Sequence, residues 1–294
     1  MTELKISFVD FWPEIKFEDI FTPILSNYYN LVIDNKNPDV VFHSMFGGMK
    51  QIVNYPKAKK IMWIAENFRA SQFKTDYTIS FDPTEGRNFR LPLWQAYILT
   101  KPELKTRLFN NVNLHRIEGK DFDRFCSFTV SNGSNFVRNG MYATLNSYKR
   151  VHSYGKYMTN DFSLQTLTNT GEYWRDVKDK FFYNTTHKFS ICFENTSSKY
   201  YCTEKLMDAF LAGSLPIYYG DPKAVLDFNE EAFINVHRLN EHGIKVIDKV
   251  KELDNDNEKY HSMFYSPIFT DLQSNKLVDN LKDFETFLLN CIKS

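Results

Sequence analysis

Three short clusters in this 294-residue chain put charged and amide side chains where chemistry could use them. In residues 189–222 (FSICFENTSSKYYCTEKLMDAFLAGSLPIYYGDP) an apolar run ends in Glu194 and Asn195, a mostly polar loop follows, and Thr203, Glu204 and Lys205 open a helical pattern. Thr203 has the chemistry of an N-cap. Leu206, Ala209, Phe210 and Gly213 share one helical face, which leaves Glu204, Lys205 and Asp208 elsewhere on the helix surface. A helix suiting its own dipole would carry acids in its first turn. A lysine there, beside unpaired backbone N–H groups, suits a phosphate; on an ordinary helix it would be a solvated surface side chain. Glu194 serves equally as a structural cap or as a contact. In residues 125–139 (FCSFTVSNGSNFVRN) a strand pattern and a Ser-Asn turn deliver Arg138 to the start of another helix. In a third cluster, residues 60–65 (KIMWIA) run directly into Glu66 and Asn67.

The elements that position these groups alternate. Residues 5–10, 30–33, 39–43, 60–65 and 77–81 read as strands, and residues 18–28 place Ile20, Phe21, Ile24, Leu25 and Tyr28 on one helical stripe. A polar stretch at 118–124 (EGKDFDR) marks a boundary, after which the alternation restarts: strand 125–130, helix 136–148, strands near 151–153 and at 188–193, helix 203–212, and strands 215–219 and 233–236. Residues 275–292 have helical spacing and could pack back on the N-terminal domain; residues 254–259 (DNDNEK) read as a solvated loop. The fold class is α/β: two Rossmann-like domains, 1–118 and 119–294, facing across a cleft. In such sheets functional groups sit at the carboxyl ends of strands, a filter that keeps Glu66, Asn132, Glu194 and Asn195.

Composition narrows the function. Lys+Arg and Asp+Glu are both 36, so the basic excess of a nucleic-acid binder is missing. The Asp-x-Asp pairs at 121/123 and 254/256 lie in charge runs, no helical His pair brackets an acid, and no metal site is expected. Four cysteines without short pairing suit buried thiols, and the first residues carry charge where a signal peptide would be apolar. A cytoplasmic protein with at most peripheral membrane contact is expected.

The 189–222 segment resembles the donor-binding signature of the α1,3/4-fucosyltransferases (glycosyltransferase family ten). The likeness is carried by Phe193-Glu194-Asn195, then Tyr201-Cys202-Thr203-Glu204-Lys205, then Ala212-Gly213-Ser214-Leu215-Pro216-Ile217-Tyr218-Tyr219-Gly220. Residues 125–139 resemble the family's Ser-Asn turn and Arg-Asn helix start, with Gly133 where Pro is usual. Glu66-Asn67, Asp76-Tyr77 and Arg90-Leu91-Pro92-Leu93 resemble its N-terminal landmarks, although Ala65 replaces a common Gly. The likeness spans roughly residues 60–270; residues 1–55 share only the α/β pattern.

The resemblance implies the glycosyltransferase B architecture and inverting transfer of L-fucose from GDP-β-L-fucose to a GlcNAc hydroxyl, α1,3 by preference, in a LacNAc-type acceptor. GDP-fucose is then the donor substrate, an N-acetylglucosamine-containing oligosaccharide or lipid-linked precursor the acceptor, and no cofactor is needed. Glu66 is the expected base, Arg138 and Lys205 the cations for the departing diphosphate, Glu204 a ribose contact, and Asn195 and Tyr201 the rest of the donor pocket. The membrane anchor and paired cysteines of animal members, and the heptad repeats and basic tail of some bacterial ones, are missing from this sequence, which favours a bacterial or viral cytoplasmic enzyme. Two other readings share these features: a transferase for another nucleotide sugar, and a catalytically silent glycan-binding module.

Overall fold

The structure, a computed structural model, describes residues 1–12, 18–109, 122–162, 187–239 and 244–294. The chain divides into two compact units: Met1–Pro102 together with Asn275–Ser294, and Glu103–Ser274. The boundary at 118/119 read from the polar stretch, with Asp121, lies outside the described residues.

The first unit runs β1 (Thr2–Val9), α1 (Glu18–Leu25), β2 (Tyr29–Ile33), β3 (Val40–His43), β4 (Lys59–Trp63), β5 (Tyr77–Ser80), β6 (Asn88–Arg90) and α2 (Leu93–Thr100). The six strands form a parallel sheet in the order β2-β1-β3-β4-β5-β6. Every residue of β3 is buried, which a parallel sheet covered on both faces requires. Helix α1 turns Ile20, Phe21 and Leu25 inward, and the Phe21 ring stacks on Phe42 at 4.2 Å. Tyr28, expected on the same stripe, lies past the helix end, exposed, with its hydroxyl donating to Glu285 at 2.6 Å. Strand β6 carries no hydropathy signal. Side-chain bonds hold it: Asn88 Oδ1 accepts from Thr78 and Ser80, and its Nδ2 donates to the carbonyls of Asp82 and Pro83.

The second unit follows from α3 (Pro102–Phe109) through β7 (Arg124–Phe128), α4 (Phe136–Tyr148), β8 (Val151–Ser153), β9 (His187–Phe193), α5 (Lys205–Leu211), β10 (Leu215–Tyr219), β11 (Ile234–Asn235), α6 (Val236–Leu239), α7 (Ile244–Asn255) and α8 (Asn257–Phe264) to α9 (Asp271–Lys293). Its parallel sheet has the order β11-β10-β9-β7-β8. Residues 254–259 are helix ends more than a loop: Asn255 and residues 257–259 are exposed as expected, but Asp254 is not solvated. They join α7 to α8, and the Asp254 side chain, 5% exposed, pairs with Lys188 and Lys149 and accepts from the Tyr148 hydroxyl. The charge run holds helices together because three partners converge on one carboxylate.

Helix α9 begins in the second unit and completes the first. Phe284, Leu288 and Cys291 join the core built from Phe21, Phe42, Trp63 and Phe89. Asn280 Nδ2 donates to Gln95 Oε1 at 2.7 Å and to the Arg90 carbonyl at 3.1 Å.

At the end of β3, His43 is 3% exposed, and burial pushes its imidazole down to about 4, against smaller opposing pulls from the Ser44 backbone and Asp10. The unfolded chain, with histidine near its ordinary 6.5, therefore takes up a proton that the folded chain refuses. Stability is full above that value and falls as pH drops from about 6.5 to about 4, by at most ~3 kcal/mol. Urea unfolding across this range should show the loss, and His43→Gln should flatten it; an identical pH slope in that variant would remove His43 as the cause.

Candidate active site

Strand β9 is buried along Phe189–Phe193 and pairs with β10 on one side and β7 on the other. It delivers Glu194 to the carboxyl edge of the sheet at 0% exposure. A carboxylate so placed must be matched by donors and charge. It accepts from the Thr203 backbone N–H at 2.7 Å and the Thr203 hydroxyl at 2.7 Å, and it pairs with Lys205 Nζ at 3.1 Å. Gly220 makes room for it: a Cβ there would stand 2.2 Å from Glu194 Cγ. These bonds correct two readings of the sequence. Thr203 does not cap the helix: α5 starts two residues later, at Lys205, with Glu204 in the cap position, and the Thr203 N–H and hydroxyl donate to Glu194. Asp208 is not on the surface but 8% exposed.

The Lys205 side chain keeps 27% of its surface exposed. Burial works against its charge, but the carboxylates of Glu194 and Glu204 outweigh it and raise the ammonium's pKa. Glu204 Oε1 lies 3.6 Å from Nζ, and Thr203 Oγ1 accepts from Nζ at 2.9 Å. The ammonium is thus held in place, and its charged form is favoured.

Arg138 reaches the same dipeptide from α4. Asn135, the N-cap, accepts from the Arg138 N–H at 3.0 Å and donates its Nδ2 to the carbonyls of Glu194 and Asn195 at 2.9 and 3.0 Å. Arg138 is 2% exposed while its neighbours Phe136 and Val137 are exposed, so the guanidinium folds inward against the helix start. Nη1 donates to Asn195 Oδ1 at 3.1 Å and Nη2 to the Asn132 carbonyl. Among the described residues, Nε has no hydrogen-bond partner. Burial lowers the guanidinium's pKa, opposed by the Glu194 carboxylate. Gly133, standing where the resemblance expects Pro, sits under the Tyr157 ring, which a Cβ would meet at 2.2 Å.

The loop between β9 and α5 is pinned as firmly. Asp221, fully buried, accepts from the Tyr200 N–H at 2.7 Å and holds that residue at a left-handed φ of 68°. Asn195 is exposed, Glu204 is half-buried, and Tyr201 is interior at 2% exposure, closing the back of the turn that carries Lys205. Of the predicted residues, then, Arg138, Asn195, Tyr201, Glu204 and Lys205 gather around Glu194. The sequence reading missed Glu194 as the hub and Asn135 as the bridge. An Asn one residue before a helical pattern is a capping signal that could have found Asn135.

Glu66 belongs to the first unit, three residues past β4, and is half-buried. The chain after it is clamped by Asp82, which pairs with Arg69 Nη1 at 2.8 Å and accepts from the Ala70 N–H at 2.8 Å. Alongside, Phe73, Tyr77, Asp82, Glu85 and Arg87 help line an open cavity of about 490 Å³. Among the described residues no group of three or more His, Cys, Asp or Glu is placed to hold a metal ion, and no helix is long and apolar enough to cross a membrane.

Residues 6–97 match the model of the alpha-(1,3)-fucosyltransferase FucT N-terminal domain, and residues 120–275 match that of the glycosyltransferase family 10 (fucosyltransferase) C-terminal region. The chain belongs to glycosyltransferase family 10. Family likeness therefore reaches back to residue 6, well before the position near 60 where the motifs begin to carry it. Among relatives of this family 10 chain, alpha-(1,3)-fucosyltransferase FucT of Helicobacter pylori is 30% identical over 298 residues, 89% of this chain and 59% of that protein. The chain thus spans less than two thirds of that relative's length. A crystal structure of an alpha1,3-fucosyltransferase with GDP has a TM-score of 0.74 at 27% identity, covering 97% of this chain and 91% of the other. A second, with GDP-fucose, has a TM-score of 0.72 at 26% identity and the same coverages.

Because Glu194 balances Lys205 and fastens Thr203, Glu194→Gln should cost ~2–4 kcal/mol of stability in urea unfolding. A loss under ~0.5 kcal/mol, the size expected of an ordinary surface change, would mean the carboxylate is not the anchor.

Proposed function

We propose that this family 10 chain is an inverting α1,3-fucosyltransferase that moves L-fucose from GDP-β-L-fucose to a GlcNAc hydroxyl of a LacNAc-type glycan. The reading rests on one observation above all: a guanidinium and an ammonium from separate motifs are tied to adjacent residues, Asn195 and Glu194. Two fixed cations on one dipeptide suit a diphosphate, with Arg138 as the planar guanidinium and Lys205 as a point charge. Their two positive charges take the role a divalent ion would fill, and the reaction is read as metal-independent. Glu204 accepts from the ribose hydroxyls, Asn195 orients the donor through its exposed amide, and Tyr201 backs the pocket.

Chemically, the acceptor oxygen attacks the anomeric carbon from the face opposite the phosphate. The carbon–oxygen bond to GDP breaks, its electron pair leaves on the diphosphate, and the acceptor's proton passes to Glu66. The cations act on charge that grows as the bond breaks, which is where stabilisation accelerates reaction. Four free, buried cysteines support a reducing, cytoplasmic setting.

GDP should raise the melting temperature, because ligand binding stabilises the fold, while UDP and CMP should leave it unchanged. A larger shift with UDP would assign another donor. With GDP-fucose and N-acetyllactosamine, Glu66→Gln should lower turnover about 10²- to 10⁴-fold while sparing GDP binding; unaltered turnover would take Glu66 out of the mechanism. GDP binding without any fucosyl transfer by the unmodified chain would point to a silent module.

A further inference from the structure

The carboxyl edge of the first unit's sheet carries, beside Glu66, two aromatic side chains that the proposed reaction has not used. The sheet order reverses between β1 and β3, since β2 lies to one side of β1 and all later strands to the other. Open α/β sheets bind ligands outside their strand ends at such a point. The strands there are in register: Val9 lies opposite His43, and His43 opposite Met62. Three residues past the ends of β1, β3 and β4 stand Trp12, Phe46 and Glu66. Neighbouring strands are about 4.8 Å apart, so two aromatics and a carboxylate leave the sheet from three consecutive columns.

The loop bearing Phe46 is held with unusual care. Asp10 closes β1 in a left-handed conformation, φ 58°, at 3% exposure. Its carbonyl accepts from the Phe46 N–H at 2.9 Å, and its carboxylate accepts from the N–H groups of Gln51 and Ile52 at 3.1 and 2.9 Å. Ser44 ties the same loop to the next column, donating its hydroxyl to the Trp63 carbonyl at 2.8 Å. A strained, fully bonded residue that orders a loop from below is a mark of functional sites. What the loop presents is Phe46, 43% exposed, with its ring 5.9 Å from that of half-buried Trp12.

A pyranose has a face of C–H groups and a rim of hydroxyls. An aromatic ring covers the first, and a carboxylate engages the second. We propose that Trp12 and Phe46 form the ledge on which the acceptor pyranose stacks with its reacting hydroxyl toward Glu66, and that Asp10 is the positioning residue for Phe46. The assignment rests on the reading of Glu66 as the base.

Steady-state kinetics of the full chain with GDP-fucose and N-acetyllactosamine test it. Phe46→Ala and Trp12→Ala should each raise the acceptor KM about tenfold and leave the donor KM within about twofold, while Phe46→Tyr stays close to the parent. Asp10→Ala should raise the acceptor KM likewise, and Asp10→Asn, which tolerates the left-handed backbone and keeps a side-chain acceptor, should recover most of it. A GDP-induced melting shift equal to the parent's shows that each variant is folded. Acceptor binding to Glu66→Gln, followed by ligand-observed NMR, should disappear when Phe46→Ala is added, an arm that needs no turnover. An unchanged acceptor KM in both Phe46→Ala and Trp12→Ala overturns the ledge, as does a rise confined to Arg87→Ala in the cavity beside the Glu66 loop. Absence of transfer by the unmodified chain sinks the enzymatic reading instead, and the NMR arm still decides the ledge.

Discussion

A carboxylate with no solvent is the constraint on which the second unit turns. At 0% exposure the Glu194 carboxylate has to be met by hydrogen-bond donors and a cation. The fold meets that demand with the Thr203 N–H and hydroxyl and the Lys205 ammonium, all from a single turn. Satisfying one buried charge thereby fixes the position of a second, half-exposed one. Removing one member would leave the other uncompensated in a poorly hydrated place, so the pair specifies geometry more than it adds stability. Gly220 belongs to the same solution, since its hydrogen lets β10 end against the Glu194 stem.

The two units use one architecture to present different side chains. Both are parallel sheets whose loops gather at the carboxyl ends of the strands. In the first unit those ends bear acids, Asp10 and Glu66; in the second they bear Arg138 and Lys205 bound to the Glu194–Asn195 dipeptide. Burial matters because interactions in a low-dielectric setting are screened less than those at the surface.

Much of this was legible in the sequence, for definite reasons. Strand β10 was delimited to the residue, and helix α4 and strand β8 were placed closely, because apolar periodicity changes sharply at Asn135, Lys149 and Gly213. Arg138 and Lys205 stood out because each sits in a long ordered pattern at a strand-to-helix junction. What stayed hidden was side-chain bonding. Nothing in hydropathy says that Thr203 serves Glu194 and not the helix, that Asn88 stitches a three-residue strand, or that Asp254 buries itself between two lysines. Polar residues in short segments read as loop or surface until their partners, distant in sequence, are known. Asp10 was invisible for a related reason: its importance lies in a backbone angle, and an aspartate after a strand is otherwise unexceptional.

The path of α9 has a consequence for how the molecule is made. The first unit's core draws Phe21, Phe42 and Trp63 from the opening sixty-three residues and Phe284, Leu288 and Cys291 from the final helix, while the second unit, Glu103–Ser274, is contiguous. During synthesis the ribosome releases the second unit's last residue before it supplies the helix that closes the first. The segment translated earliest must therefore wait, its sheet incompletely covered, and a nascent chain stalled before residue 284 would carry an exposed apolar face for chaperones to shield.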